Sequence, residues 1–207
     1  MRPGREESAL QGLNDLAKAY DFMNYDVALL AQSEADALKH ANVRVDGKRK
    51  TAKDTPFSMV TLKNGDLIGV VRFPSLKKGE DIPSDDQIKK LSTAIKAERK
   101  KVKLLLGLSD WGWVGEREYL AKNPDAVPDL LLGSGRGSGV NGRIEANGRC
   151  IWIRPYDKGR TVSEVQVYAW PDRSKPFAWK EPDNIKSLSI GLGDNYQDNP
   201  DVGALFQ

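Results

Sequence analysis

Two apolar runs constrain this chain more than any other feature: VKLLLGLS at 102–109 and PDLLLGS at 128–134. Each is short, continuous and bounded by turn-forming residues, the pattern of a strand buried on both faces. Between them, residues 114–123 read as a helix that stops before Pro124, because proline lacks the N–H and the freedom a continuing helix needs. Strand, helix, strand at this spacing predicts a right-handed crossover with parallel strands. The fold class expected is therefore α/β. Both strands run into polar loops, SDWGW and GSGRGSG, and parallel strands deliver their loops to one end. Ligands of open α/β sheets settle in the crevice outside the carboxyl ends of the strands. A third segment, an apolar strand candidate at 27–30 leading through AQSE into a helix over 34–41, feeds the same end.

The other elements follow from local pattern. Leu10, Leu13, Leu16, Ala17, Tyr20 and Met23 keep helical spacing and predict an amphipathic helix over 7–23. PFSMVTLKNGDLIGVVRF predicts a hairpin closed by a type I′ turn at Asn64-Gly65. Ser84 and Gln87 have the spacing of a capping box, followed by Ile88, Leu91 and Ile95 and ending at Arg99-Lys100-Lys101, basic charge on a solvated last turn. After Val140 the pattern becomes purely β. Residues 143–153 turn at Asn147-Gly148, and 162–170 alternate after a Lys158-Gly159 turn, which reads as antiparallel hairpins. The Pro-, Asp- and Asn-rich stretch 171–207 is expected to be an extended tail laid over the domain. A single domain over 1–207 is expected, with an α/β part at 1–140, hairpins at 141–170 and the tail after them.

Composition removes several function classes. With 32 basic and 29 acidic residues the net charge is only +3, so no nucleic-acid or other polyanion partner is implied. No apolar stretch has the length of a membrane span, and Met1-Arg2-Pro3-Gly4 is not followed by the apolar core of a signal peptide. Cys150 is the sole cysteine and His40 the sole histidine. An internal disulfide and a cysteine-cluster metal site are excluded, and His40, on a helix among Ala and Leu, reads as structural.

GSGRGSG supports two readings. In one, backbone N–H groups of the glycine loop present themselves to an anion, Arg136 adds a bidentate contact, and Trp111 and Trp113 stack on a sugar or base. In the other, the loop is a flexible run of glycines beside a plain cavity, and the tryptophans pack in the core or at its rim. The loop lacks the lysine, the spacing and the following helix of a P-loop.

The stretch from KLLLGLSDWG through PDLLLGSGRGSG to NGRCIWIRPYDKGRTVSEVQVYAW, with NYDVALLAQSEAD and TLKNGDLIGVV upstream, resembles the calcineurin-like metallophosphoesterases, most closely their 5′-nucleotidase branch. The order is kept over roughly residues 10–170. The resemblance implies a metallophosphoesterase-like α/β sandwich, truncated at the N-terminus because the family's first two strands have no counterpart. It also implies a vestigial cleft. Gln32 and Ser33 stand where the family has its metal-binding Asn and catalytic His, with Glu34 and Asp36 retained. Asp110 replaces the His of L-S-H-x-G, and Gly135 and Gly137 replace both histidines of G-G-H-x-H. Glycine donates nothing to a metal, so the resemblance implies a catalytically inactive protein without cofactor, acting as a binding or assembly module. The alternatives are a single Mg²⁺ or Ca²⁺ held by Asp110 with Glu34 or Asp36, or a phosphoesterase with a rebuilt oxygen-only site or with ligands on a missing upstream segment. The missing strands imply a sheet edge and apolar surface to be covered by a homodimer, a protein partner or the tail. An extracytoplasmic, periplasmic home is implied by the resemblance alone.

Overall fold

The computed structural model describes residues 3–122, 124–156 and 159–206, with side chains from Gln11 onward. Helix α1 (Pro3–Phe22) leads to β1 (Ala28–Leu29), α2 (Gln32–His40) and β2 (Arg49–Lys50). The hairpin β3 (Phe57–Thr61) and β4 (Leu67–Arg72) follows, then α3 (Asp85–Arg99), β5 (Leu104–Ser109), α4 (Gly112–Ala121) and β6 (Leu130–Gly133). The chain ends in β7 (Val140–Glu145), β8 (Cys150–Arg154), β9 (Thr161–Val167), β10 (Ile185–Gly191) and α5 (Pro200–Gly203), with a 3₁₀ turn at Ala204–Phe206.

Six strands form one mixed sheet in the order β3-β4-β5-β6-β8-β7. The β4/β5, β5/β6 and β6/β8 pairs are parallel, and an antiparallel hairpin closes each edge. The expected crossover is present: β5 and β6 are parallel neighbours joined through α4. Alternation along these strands sorts side chains to two faces. Val71, Leu105, Leu131 and Trp152 join Ile88, Leu91 and Ile95 of α3 and Tyr119 of α4 in the larger core. Leu104, Leu130, Ile151 and Ile153 face the other way, onto Trp179 and Ile185. The general α/β class expected from the apolar runs is what the chain adopts.

Five local expectations need correction. Only Gly65 of the 64–65 pair has positive φ (86°), so the β3–β4 turn is not type I′. Gly65 N–H donates to the Leu62 carbonyl, and Leu62 N–H to that of Asp66, across a longer loop. The Asn64 side chain accepts from Asp66 N–H, so this asparagine bonds locally without turning left-handed. By contrast, Asn147 and Gly148 both have positive φ (57° and 83°), the condition for type I′. Segment 27–30 gives only the two-residue β1, paired in parallel with β2; β4, flanked by β3 and β5, has no free edge for it.

The alternating run after Gly159 is not paired with a neighbouring hairpin strand. β9 pairs along seven residues with β10, inside the expected tail. That segment also buries Trp179, at 2% exposure, and with Phe177 and Ile185 covers the second sheet face, while the turn at Ala204–Phe206 packs near α1, so the stretch is folded rather than an extended tail. Lys158 of the expected Lys-Gly turn lies outside the described residues. The last correction concerns Arg99, whose side chain is only 22% exposed beside Asp129, not on a solvated turn.

Candidate functional site

The segments expected to converge do so. A cleft of about 600 Å³ opens at the carboxyl ends of β5 and β6, with Gln32 and Ser33 on one side, Asp110 and Gly135 below, and Arg136 and Lys78 at its rim. Sequence gives each wall its place. Buried Arg72, at the end of β4, donates to the carbonyls of Ala28 and Thr55 and to Ser58 Oγ, pinning β1 and therefore the start of α2 against the sheet. Burial lowers the pKa of this guanidinium, and three oxygen acceptors hold it. The capping box of Ser84 and Gln87 is formed in both directions and starts α3 just beyond the 75–81 wall.

Although the tryptophans pack in the core and at its rim, as the second reading of the sequence had it, the glycine loop is more tightly held than that reading expected. Its carbonyls, not its N–H groups, carry the structure. Arg154, 2% exposed at the end of β8, donates to the carbonyls of Ser134, Gly135, Arg136 and Ser138 at 2.8–3.2 Å. Its Nη1 also lies 2.7 Å from Oε2 of Glu116, which is fully buried and accepts a second bond from Trp152 Nε1 at 2.8 Å. Burial pushes the Glu116 carboxyl up, while the bonds from Arg154 and Trp152 oppose that shift. The donors at the start of α4 are used as well: Gly112 N–H bonds the Ser134 carbonyl and Trp113 N–H that of Arg136. A helix N-terminus binds an anion through free N–H groups, and here loop carbonyls already take them. The loop is a carbonyl cage around a guanidinium, with the Gly112 and Trp113 N–H groups drawn into it, and not a slack run of glycines.

Close approach explains the glycines. A Cβ on Gly133 would lie 2.0 Å from Glu116 Oε2, and one on Gly137 2.4 Å from Trp113 Cβ. Gly135 (φ 81°) and Gly137 (φ 111°) also hold left-handed backbone that side chains rarely adopt. A histidine at either position would clash or strain the cage.

The remaining expected residues divide. Gln32, Ser33, Asp110, Gly135 and Arg136 line the cleft, whereas Glu34, Asp36, Gly137 and Trp113 do not. Asp36 is exposed on α2 and accepts from Gln32 Nε2 one turn away. Trp111 touches the cleft but is 5% exposed, with Nε1 bonded to the Pro74 carbonyl and its ring against Phe73 and Tyr119. Trp113 tilts toward Trp152 and carries the Arg117 guanidinium over its ring. Neither indole is free to stack on a ligand. His40 is exposed, with Nδ1 2.6 Å from the Asp36 carbonyl.

Among the described residues no group of three or more His, Cys, Asp or Glu side chains is placed to hold a metal. The donor set does not fit a two-cation centre, because the carboxylates of α2 lie off the cleft and positions 135 and 137 have no room for ligands. Two residues central to the site escape a reading of the sequence, Glu116 and Arg154. A signal exists for the first, since Gly112, Gly115, Glu116, Tyr119 and Leu120 are the buried face of α4 and put a carboxylate at a core position.

No family model matches the chain, and no curated protein matches it. Among solved structures, a hypothetical protein from Thermus thermophilus is similar over 70% of this chain and 69% of its own length, at 13% identity and a TM-score of 0.38. No helix among the described residues is long and apolar enough to cross a membrane.

Proposed function

We propose that this chain is a non-catalytic relative of the calcineurin-like metallophosphoesterases that acts as a binding module, with the cleft beyond β5 and β6 as its binding surface. One observation carries the reading. Asp110 accepts from Ser75 Oγ through Oδ2 at 2.6 Å, while Oδ1 is buried with no hydrogen-bond partner among the described residues. A buried acceptor left without a donor costs about 1–3 kcal/mol. A small turn of the Asp110 side chain would let a ligand hydroxyl or amino group in the cleft supply that donor, and Arg136 and Lys78 offer their charges there. The ligand class this favours is a small polyhydroxylated molecule, a sugar or nucleoside, with or without an anionic group.

A thermal-shift series with hexoses, nucleosides and nucleotides tests it. The expected result is a rise in Tm with at least one of them that D110A abolishes. Hydrolysis of a generic phosphate ester with added Mn²⁺ is expected to stay at the buffer rate. Turnover that D110A removes would overturn the non-catalytic reading.

A further inference from the structure

The opposite end of the sheet holds a second cavity, of about 190 Å³, walled by Arg99, Arg149, Arg173 and Lys175 with Asp129 and Asp172. Asp129 immediately precedes β6, and its Oδ2 accepts from the N–H of Leu105 near the start of β5 at 2.7 Å, which fixes this cavity at the amino ends of the strands. It shares no residue with the cleft.

The carboxylates here are already engaged. Arg173 takes both oxygens of Asp129, at 2.9 and 2.5 Å, in the fork-to-fork geometry of a strong pair. Arg99 is left 3.5 Å from Oδ1 and donates instead to the Val127 carbonyl. Its Nε is buried with no partner among the described residues. Asp172 is held by Ser174 and Lys175. Arg149 reaches the wall while donating to the carbonyls of Asp125 and Pro124. Burial lowers the pKa of the Arg99 guanidinium, and the nearby Arg173 cation adds to that against the pull of Asp129. Positive charge is thus collected on one small concavity, where basic side chains outnumber the two carboxylates.

We propose that this cavity is a binding site for a small tetrahedral oxyanion, phosphate or sulfate, held by Arg99, Arg173 and Lys175. Its size is below the roughly 300 Å³ at which pockets accept drug-sized molecules, so a free ion fits where a nucleotide does not. A bound dianion would sit between groups from α3, the strand ends and the 171–177 segment. Binding to the folded chain alone raises its stability.

The test is titration calorimetry with inorganic phosphate at constant ionic strength, on the full chain and on K175E, K175Q and R136A. Lys175 is 70% exposed on its side chain and pairs with Asp172 among the described residues, so these changes are expected to leave the fold intact. The proposal expects saturable binding to the wild type and to R136A, weakened about tenfold in K175E and less in K175Q. Sulfate is expected to compete and acetate is not. Absence of saturable binding, equal affinity in K175E, or binding lost in R136A instead would each overturn the proposal, the last by assigning the anion to the cleft. Because the readout is an ion at the amino end of the sheet, its failure leaves the reading of the cleft untouched.

Discussion

Arginines close both ends of the central sheet, and the two ends use them in opposite ways. At the carboxyl end Arg154 is sealed: one fully buried carboxylate and four loop carbonyls meet its donors, and it is 2% exposed. At the amino end Arg99 and Arg173 share a single buried carboxylate, with side chains 22% and 33% exposed. The difference teaches what a buried charge can do. A cation with every donor matched is a brace, because desolvation is recovered only through near-complete bonding. Two cations that share one carboxylate beside an opening are a place where an anion can bind.

Removing the sealed arginine should have the largest effect. R154M leaves Glu116 buried and unpaired and frees four carbonyls, and is expected to cost about 3–5 kcal/mol in urea unfolding. A loss under about 1 kcal/mol would mean the cage is not a brace. G133A, whose Cβ would meet Glu116 Oε2 at 2.0 Å, should cost about 3 kcal/mol by overpacking the same pair. R173M at the other end should cost about 1–3 kcal/mol, because Arg99 and the Leu105 N–H remain near Asp129. If R173M equals or exceeds R154M, the contrast between sealed and open ends is wrong. S84A, which removes the capping box of α3 away from both clusters, sets the scale of an ordinary loss at about 1 kcal/mol.

The smallest effect is electrostatic. The bond from Lys103 to Asp66, that from Lys122 to Asp85, and Ser174 with Lys175 at Asp172 hold these carboxyls below their ordinary 3.8, Asp172 at about 2. A depressed carboxyl contributes stability that is present above the unfolded pKa and lost as pH falls through the folded one. Thermal scans should therefore show Tm flat above about pH 5 and declining gently between about pH 4 and 2. Asp85 is exposed and Asp66 and Asp172 are only partly covered, so no steep acid transition should be traceable to them.

What is legible in the sequence is local. The continuous leucines of β5 and β6, the Ser84–Gln87 spacing and the Asn147-Gly148 turn each determine structure within a few residues, and each folds as its pattern predicts. Convergence of the 32–33, 110–112 and 135–136 segments follows from one topological rule about parallel strands. The misses are long-range. β10 lies in a Pro- and Asp-rich stretch, and its partner β9 ends 18 residues earlier, so nothing local marks it as a strand. The glycines of 133–137 read as the trace of lost side chains, although what requires them is close approach to Gly112, Trp113 and Glu116 of α4. Trp111 reads as a stacker on a ligand or as a core residue, and only its contacts with Phe73 and Tyr119 decide for the core.

The glycine loop is the point on which the account turns, and a double substitution G135H/G137H addresses it directly by putting imidazoles back where the resemblance has metal ligands. The prediction is a chain that is strongly destabilised, with a Tm far below the wild type, and that retains no Mn²⁺ after dialysis. A variant that melts with the native protein, binds Mn²⁺ and hydrolyses a phosphate ester would contradict the carbonyl cage and restore the metal centre.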